Sequence, residues 1–478
     1  MVDVGFNESQ NLADRATAYL LERHSPGGTR IGWMMIASIF IEAWDLYTIS
    51  FLLIFLTAEY HPSALLLGLA SAGTQAGAIV GALVGGWLMD RVGRRVMFLG
   101  TMVMFIVFAL AQAFAPTMEV LAIIRLLLGI PLGADIAVGY TYIMESMPIG
   151  KREAMGNRWQ AMFAIGEVAA ILVVTAMFVA GIAPDLLWRV ALGLGAVPAI
   201  ALLLLRYGIP ETAIWLIQKG RFREAKAVAR SMYGEELDIL PDADVEVPTG
   251  RFVDFFRDVW SDPTRRRATL FGWIASWAEA LEFSTFGFYL PILFVLLGVS
   301  GILATNVLTL SIYCVAIVSG LVGPQLVHRI GQRRLSLYGF GIVLVSLLVA
   351  GLAISSNILW LVPVAAAAML WGHYWDAENV MTIPSMVAAP RYRGVASGFS
   401  YIHVKLPSFL GIFLFPAFFG SIGAANATFF TAVFPLLGLL AAAFILPEVY
   451  GYIEVRRRSA ARDSSGLSTA AASITRAA

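Results

Sequence analysis

Long apolar stretches alternate with short polar ones along almost the whole chain. Runs long enough to cross a bilayer as a helix recur about twelve times. They lie near 32–56, 64–88, 96–115, 118–144, 158–181 and 186–208, and again near 268–296, 302–326, 335–355, 358–385, 394–420 and 425–446. Pro and Gly are plentiful inside them, as membrane helices tolerate. The pattern predicts an all-α membrane protein of twelve transmembrane helices in two six-helix bundles, 31–208 and 268–446, that contain repeats. A lead-in over 1–30, a linker over 209–267 and a tail over 447–478 complete the chain. Within the linker, PETAIWLIQKGRFREAKAVARSMYG reads as an amphipathic helix, EELDILPDADVEVP as an acidic connector and FVDFFRDVW as a short helix.

The loops set the expected orientation. RVGRR (91–95), KREAMGNR (151–158), the linker, HRIGQRR (328–334), RYR (391–393) and RRR (456–458) are basic. The alternating set, TAEYHPS, APTME, IAPDL, GVSG, SSN and IGAAN, has no Lys or Arg. Basic loops stay in the cytoplasm, so both termini are expected there, with the chain multi-pass in the cytoplasmic (plasma) membrane. The first thirty residues lack an apolar core before a small-residue cleavage site and do not read as a secretory signal.

The halves echo each other. GGWLMDRVGRR (85–95) returns as GPQLVHRIGQR (323–333), so that Asp90 maps to His328. A six-plus-six internal repeat is the mark of many secondary transporters, whose site lies at mid-membrane between the repeats.

Composition sharpens this. The chain is 59% hydrophobic and 14% charged, against about a quarter charged in soluble domains. Net charge is +1, which gives no reason to expect nucleic acid. The single cysteine, Cys314, excludes an internal disulfide. GTQAGAIVGALVGG lacks a P-loop Lys-Ser/Thr end and lies inside a span, so pumping by ATP hydrolysis is not expected. No HExxH or cysteine cluster offers a metal site, and no cofactor is expected beyond a proton gradient.

One stretch carries the candidate chemistry. Residues 124–148, IRLLLGIPLGADIAVGYTYIMESMP, hold Arg125, Asp135 and Glu145. Ten helical residues cover roughly half the hydrocarbon core. An ionisable group at mid-depth needs a partner or a watery cavity, so this helix is expected to line a path.

The motif between spans two and three, with its partial repeat after span eight, resembles the major facilitator superfamily. In that family the loop is a conformational latch, closed when the transporter opens outward. Arg125, Gly129, Gly133, Glu145, Pro148 and Arg152 look like the fourth-span pattern of the sugar-porter and phosphate:proton symporter branches. So do WRVALGLGAVPA (188–199), IPETAIWLIQKGR (209–221) and LPEVYG (446–451). The resemblance implies the major facilitator fold and a latch of Asp90, Arg91, Arg94, Glu145 and Arg152, with Arg329 and Arg393 from the second half.

It also implies site residues. Asp45, Ile49 and Ser50 in EAWDLYTISF resemble the Asp-x-x-x-Ile-Ser of proton-coupled sugar porters, where the aspartate takes the proton and the span-four arginine, here Arg125, modulates it. The bland alternative is a static ion pair. Asp135 falls where phosphate:proton symporters carry an aspartate, within a partial match, and is grouped with the proton-coupling residues. Lys405 falls at their intramembrane lysine; the alternative is a salt bridge to Asp135 or another core acid. Gln160 matches a sugar-binding glutamine. Glu167, seven residues on, and Glu279 replace glutamines. A carboxylate accepts where an amide both donates and accepts. Span ten, LWGHYWDAENVMTIP, lacks the sugar-porter residues but offers Trp375 and Asp376 beside acids, able to frame an amine or a sugar ring.

Counting core charges gives Asp45, Asp135, Glu167, Glu279, Glu282, Asp376 and Glu378 against only Arg125 and Lys405, with His373 and His403 ambiguous. Seven uncompensated carboxylates cannot all stay ionised in low dielectric, which favours proton handling. The expectation is a non-enzymatic, monomeric secondary transporter in the lipid bilayer. It would carry out proton-coupled uptake of a small polar solute by alternating access, with Gln160, Glu167, Glu279, Glu282, Trp375, Asp376 and Lys405 lining the solute site. Sugar, organic acid, phosphate and amine all fit these mixed positions. Proton-driven export of a cation, a transporter-like nutrient sensor and a membrane enzyme are the alternatives.

Overall fold

The computed structural model describes residues 2–23, 25–148, 151–245 and 252–452. The RRR stretch at 456–458, most of the expected tail and the end of the acidic connector lie outside the described residues. Among the described residues, eleven helices are long and apolar enough to cross a membrane. In chain order the spans are: span 1, Gly28–Tyr60; span 2, Ala64–Val92; span 3, Arg94–Ala113; span 4, Met118–Ser146; span 5, Lys151–Asn157 with Trp159–Val179; and span 6, Pro184–Gly193 with Ala196–Arg206. The second set is span 7, Pro263–Glu282 continued by Phe283–Gly287 and Leu290–Leu296; span 8, Ile302–Ile330; span 9, Gln332–Ser355; span 11, Arg393–Ile422; and span 12, Ala424–Thr431 with Val433–Phe444. Span 10 is shared by two shorter helices, Leu361–Asp376 and Glu378–Val387, parted at Ala377. His373, Asp376, Glu378 and Asn379 make it more polar than the other spans, so it is not among the eleven although its place in the fold is filled.

Local chemistry explains the interruptions. In span 7, Pro291 has no N–H to donate and its ring crowds the preceding turn. The helix answers upstream with a widened turn, in which Phe288 N donates to Phe283 O (2.8 Å). Such insertions recur at functional sites.

Burial sorts the spans. The apolar window of span 1 is 78% buried and that of span 7 is 72%, against 33% for span 3. Spans 1 and 7 therefore form the centre. Spans 3, 6, 9 and 12 present large exposed apolar side chains, among them Val103, Leu204, Val345 and Phe444, as helices facing lipid do. Glycines bring spans 2 and 4 into backbone contact. A Cβ on Gly77 would lie 1.9 Å from Leu126 O, and one on Gly129 2.1 Å from Thr74 O. Close approach through small residues is how membrane helices gain packing energy. The same device joins the bundles, where a Cβ on Gly398 of span 11 would lie 2.3 Å from Ala82 O of span 2.

The described basic loops, the N-terminal helix Val2–Leu21 and the linker helices gather on one face of the bundle, the basic face. The amphipathic linker stretch is two helices, Ala213–Gln218 and Phe222–Tyr233, because the chain turns at Gly220 with φ +70°, a conformation glycine adopts without steric cost. This layer is bonded to what lies above it. Tyr142 Oη donates to Pro210 O (2.5 Å), Tyr233 Oη to Glu145 O (3.1 Å) and Tyr19 Oη to Glu235 (2.6 Å). The helix Phe252–Ser261 seats Phe255 and Val259 against Tyr392 and Val395.

Candidate functional site

The three charges of span 4 each meet an opposite charge from a different span, so the helix is a three-rung ladder. At the first rung Arg125 pairs with Asp45 of span 1 (3.1 Å), and both are buried. Thr74 Oγ1 and Gln112 Nε2 donate to the same carboxylate (3.1 and 3.2 Å). Arg125 also donates to Ala70 O (2.7 Å) and Gln112 Oε1 (2.9 Å).

At the second rung Asp135 binds Arg206 of span 6 through both oxygens (3.0 and 3.2 Å) and accepts from Thr101 Oγ1 (2.8 Å). Arg206 donates also to Met34 O (3.0 Å) and Ser38, and its guanidinium lies 3.5 Å from the Phe98 ring centroid. Asp135 is thus enclosed inside the N-terminal bundle, away from Lys405. This corrects the tally of core bases: Arg206 ends span 6 but folds its head inward, and Asp135 is compensated.

The third rung gathers residues expected in the latch. Arg94 donates two bonds to Glu145 (2.8 and 3.2 Å) and one to Met89 O (3.0 Å), and forms an ion pair with Asp90 (2.9 Å). Glu145 also accepts from Thr212 Oγ1 (2.5 Å). Asp90 reaches the other bundle, accepting from Val395 N (3.2 Å), while Arg393 donates back to Met144 O (3.3 Å). Arg152 donates to Tyr452 O (3.1 Å). Arg91 and Arg329 differ from the expectation. Arg91 is exposed and covers the Trp87 ring (4.0 Å), and Arg329 is exposed as well; each side chain leaves its helix end toward solvent.

Two acids bonded near this cluster and its repeat escaped the sequence reading, although both lie in quoted motifs. Glu211 accepts from Arg94 N and Arg95 N (3.1 Å each), and Glu448 accepts from Gln332 N (3.1 Å) and Arg333 N (3.3 Å). Each carboxylate satisfies orphan N–H groups at a helix start, spans 3 and 9. Each is approached by a glycine of positive φ, Gly93 (+107°) or Gly331 (+84°). The PE pair shared by IPETAIW and LPEVYG was the available signal. Glu211 lies outside the spans, and burial pushes its carboxyl up.

At the centre, spans 1, 2, 5, 7, 10 and 11 enclose a cavity of ≈ 40 Å³, about the share of a single water. Gln160, Glu279, His373 and Lys405 line it, with Trp159, Phe163 and Phe283. Lys405 is ion-paired across the bundles with Glu42, which also accepts from Tyr401 Oη (2.5 Å). Glu42 was missed, although it lies one helical turn before Asp45 in EAWD.

The remaining acids lie around this cavity, not in it. Glu167 accepts from Tyr374 Oη (2.6 Å) beside the bonded Tyr47–Tyr313 pair (2.9 Å). His373 Nδ1 lies 3.1 Å from Glu282 Oε1 and 3.8 Å from Asp376 Oδ1. Trp375 turns to span 8 and donates to Ser319 O (3.2 Å), so it faces neighbouring helices and not the cavity; its position on the helix, one residue from Asp376, sends it the other way.

Beyond the centre, away from the basic face, two cavities of ≈ 520 and ≈ 620 Å³ separate the bundles. Ile412 is shared by the central cavity and the first, and Phe288 by the central cavity and the second. The basic face is bridged by the charged cluster, while on the opposite side these two cavities lie between the bundles and Asn306 donates to Thr175 across them (2.9 Å).

Twelve spans in two bundles about a central cavity, with a charged cluster on the basic face, define a membrane transporter of the major facilitator fold. A family model described as sugar (and other) transporter matches residues 31–452, and the chain belongs to that family. It is 26% identical over 419 residues to the probable metabolite transport protein CsbC of Bacillus subtilis, covering 86% of this chain and 89% of the relative. To the glucose transporter GlcP of Staphylococcus epidermidis it is 26% identical over 448 residues, covering 88% and 96%. Among solved structures, the proton:xylose symporter XylE bound to 6-bromo-6-deoxy-D-glucose superposes with a TM-score of 0.73 at 18% identity, covering 89% of this chain and 97% of the other.

Proposed function

We propose that this chain is a proton-driven symporter that carries a small polar solute, of sugar or sugar-acid type, into the cell. It would act as a monomer in the cytoplasmic membrane, with the basic face and both termini in the cytosol. The observation that carries this reading is the first rung. Arg125 has two acceptors besides Asp45, namely Ala70 O and Gln112 Oε1, so it can leave the carboxylate without standing bare in low dielectric. Asp45 then keeps Thr74 and Gln112 as partners and accepts a proton in place of the guanidinium. A swap of this kind ties proton occupancy to helix position. Proton-coupled relatives, such as the arabinose-proton symporter of Escherichia coli, 26% identical over 324 residues, support it.

The solute would bind where Gln160, Glu279 and the Glu42–Lys405 pair meet Trp159 and Phe163. Ligand pockets run to about 300–1,000 Å³, so the ≈ 40 Å³ centre must widen to admit one, entering past Ile412 and Phe288. Loading from the opposite face, closure there and release of the Arg94–Glu145–Asp90 latch would complete alternating access.

Uptake into proteoliposomes tests the proposal. With an inward proton gradient, a panel of labelled sugars and sugar acids should contain a solute that accumulates. Asp45→Asn should abolish accumulation and retain exchange at zero gradient. Gradient-driven efflux would favour a cation exporter, binding without flux a sensor, and accumulation that ignores the gradient in the wild type would end the proposal.

A further inference from the structure

The C-terminal bundle holds a second charged centre that the cycle above does not use. Glu282 of span 7 and His373 and Asp376 of span 10 place one ligand atom each within 4.8 Å of one another, all buried. Asp376 is fully enclosed, with 0% exposure, and among the described residues no Lys, Arg or amide side chain donates to its oxygens; it faces the Glu282 carboxyl instead. Two carboxyls whose oxygens lie within 4.8 Å of each other in low dielectric repel unless one carries a proton.

Among the described residues, the surroundings supply no other neutralising charge. Glu279 lies one turn before Glu282, and Glu378 follows Asp376; on the span 9 side the backbone at Gly339 packs against Asp376. Phe283 stacks on the His373 ring (4.4 Å) and Tyr374 meets its edge (5.5 Å). Among the described residues, no Lys or Arg pairs with Glu282, Asp376 or Glu378: Lys405 is held by Glu42 and Arg125 by Asp45. An unpaired ionised carboxylate inside a protein costs several kcal/mol. Two facing carboxyls with only a histidine beside them therefore require a mobile cation.

We propose that the Glu282–His373–Asp376 triad is a second proton-binding site, filled from the central cavity through His373. The histidine borders that cavity on one side and meets both carboxyls through Nδ1 on the other. A proton arriving at the imidazole from the cavity passes to the facing pair, which shares it, and the ring returns to neutral. No bond other than N–H and O–H changes. The inference rests on the symport reading for its role in transport, since each solute would then travel with two protons, one at Asp45 and one here. The site itself is testable without a solute.

The test is infrared spectroscopy of the purified full chain in lipid, reading the carbonyl stretch of protonated carboxyls through a pH titration and after transfer to D₂O. The double variant Glu282→Gln/Asp376→Asn should remove one component of that stretch, about one carboxyl, whereas each single variant leaves one carboxyl facing an amide and should shift the component in frequency without removing it. A shift in both singles with loss only in the double is the signature of one proton shared by the pair. Asp45→Asn should leave this component intact. A wild-type spectrum with no such band, or a band that does not shift in D₂O, overturns the proposal without any variant. So does a component that Na⁺ or Mn²⁺ displaces at fixed pH, which would make the occupant a metal ion. If the triad component is present and Asp45→Asn abolishes no accumulation, the symport reading fails and the site stands.

Discussion

The second rung of span 4 allows a sharp test of which buried charges move and which only hold. Arg206 places four donated bonds, two on Asp135 and one each on Met34 O and Ser38, and a stacked contact on Phe98. Both partners are buried, at 0% and 1% exposure. Replacing Asp135 by Asn leaves the guanidinium enclosed with a neutral amide and two weaker acceptors. Breaking one side of such a pair costs about 3–5 kcal/mol. Replacing both members with apolar groups of similar size removes the uncompensated charge, and pairs treated this way are often neutral or more stable. D135N and R206M should therefore each lower the melting temperature of the purified protein, while D135L/R206M melts near the wild type. A cycle of this kind isolates the coupling between the two side chains. Uptake by the double variant should persist, because the pair makes its contacts within one bundle. If the double variant melts no higher than the worse single, the pair is not the coupled unit described. If it folds and loses only gradient-driven accumulation, Asp135 belongs with the proton machinery.

Other expectations follow from the latch and the centre. A Cβ at Gly93 or Gly331 would sit 2.3 or 2.2 Å from a carboxylate oxygen of Glu211 or Glu448, at a φ that side chains rarely adopt. G93A and G331A should each destabilise by about 1–2 kcal/mol or more, read as thermal shifts, and should raise labelling of a cysteine placed on the basic-face side of the bundle interface. Equal melting of G93A and wild type would contradict this. Burial raises the Glu211 carboxyl. Its contribution is thus complete below the unfolded carboxylate range and is lost as pH rises through its folded value; the fall in melting temperature over that window should be shallower in E211Q. Finally, E42Q removes the charge facing Lys405 and should change the affinity of an anionic solute more than that of a neutral one, in equilibrium binding; equal changes would show that Lys405 does not read solute charge.

The spans, their division about a linker, the repeat and the latch motif are legible in the residues themselves, because a bilayer demands a length and a polarity that the chain must spell out locally. The need of Arg125, Asp135, Glu145 and Lys405 for partners is equally local: hydrocarbon tolerates no bare charge. Which partner each takes is not. Asp135 finds Arg206 rather than Lys405, and Lys405 finds Glu42, because those choices depend on the rotation of spans 1, 4, 6 and 11 about their axes and on how closely glycines let them approach. The one-residue step that sends Asp376 toward His373 and Trp375 toward span 8 is decided the same way. Pairing across helices separated by a hundred residues or more is a property of packing, and only the folded bundles determine it.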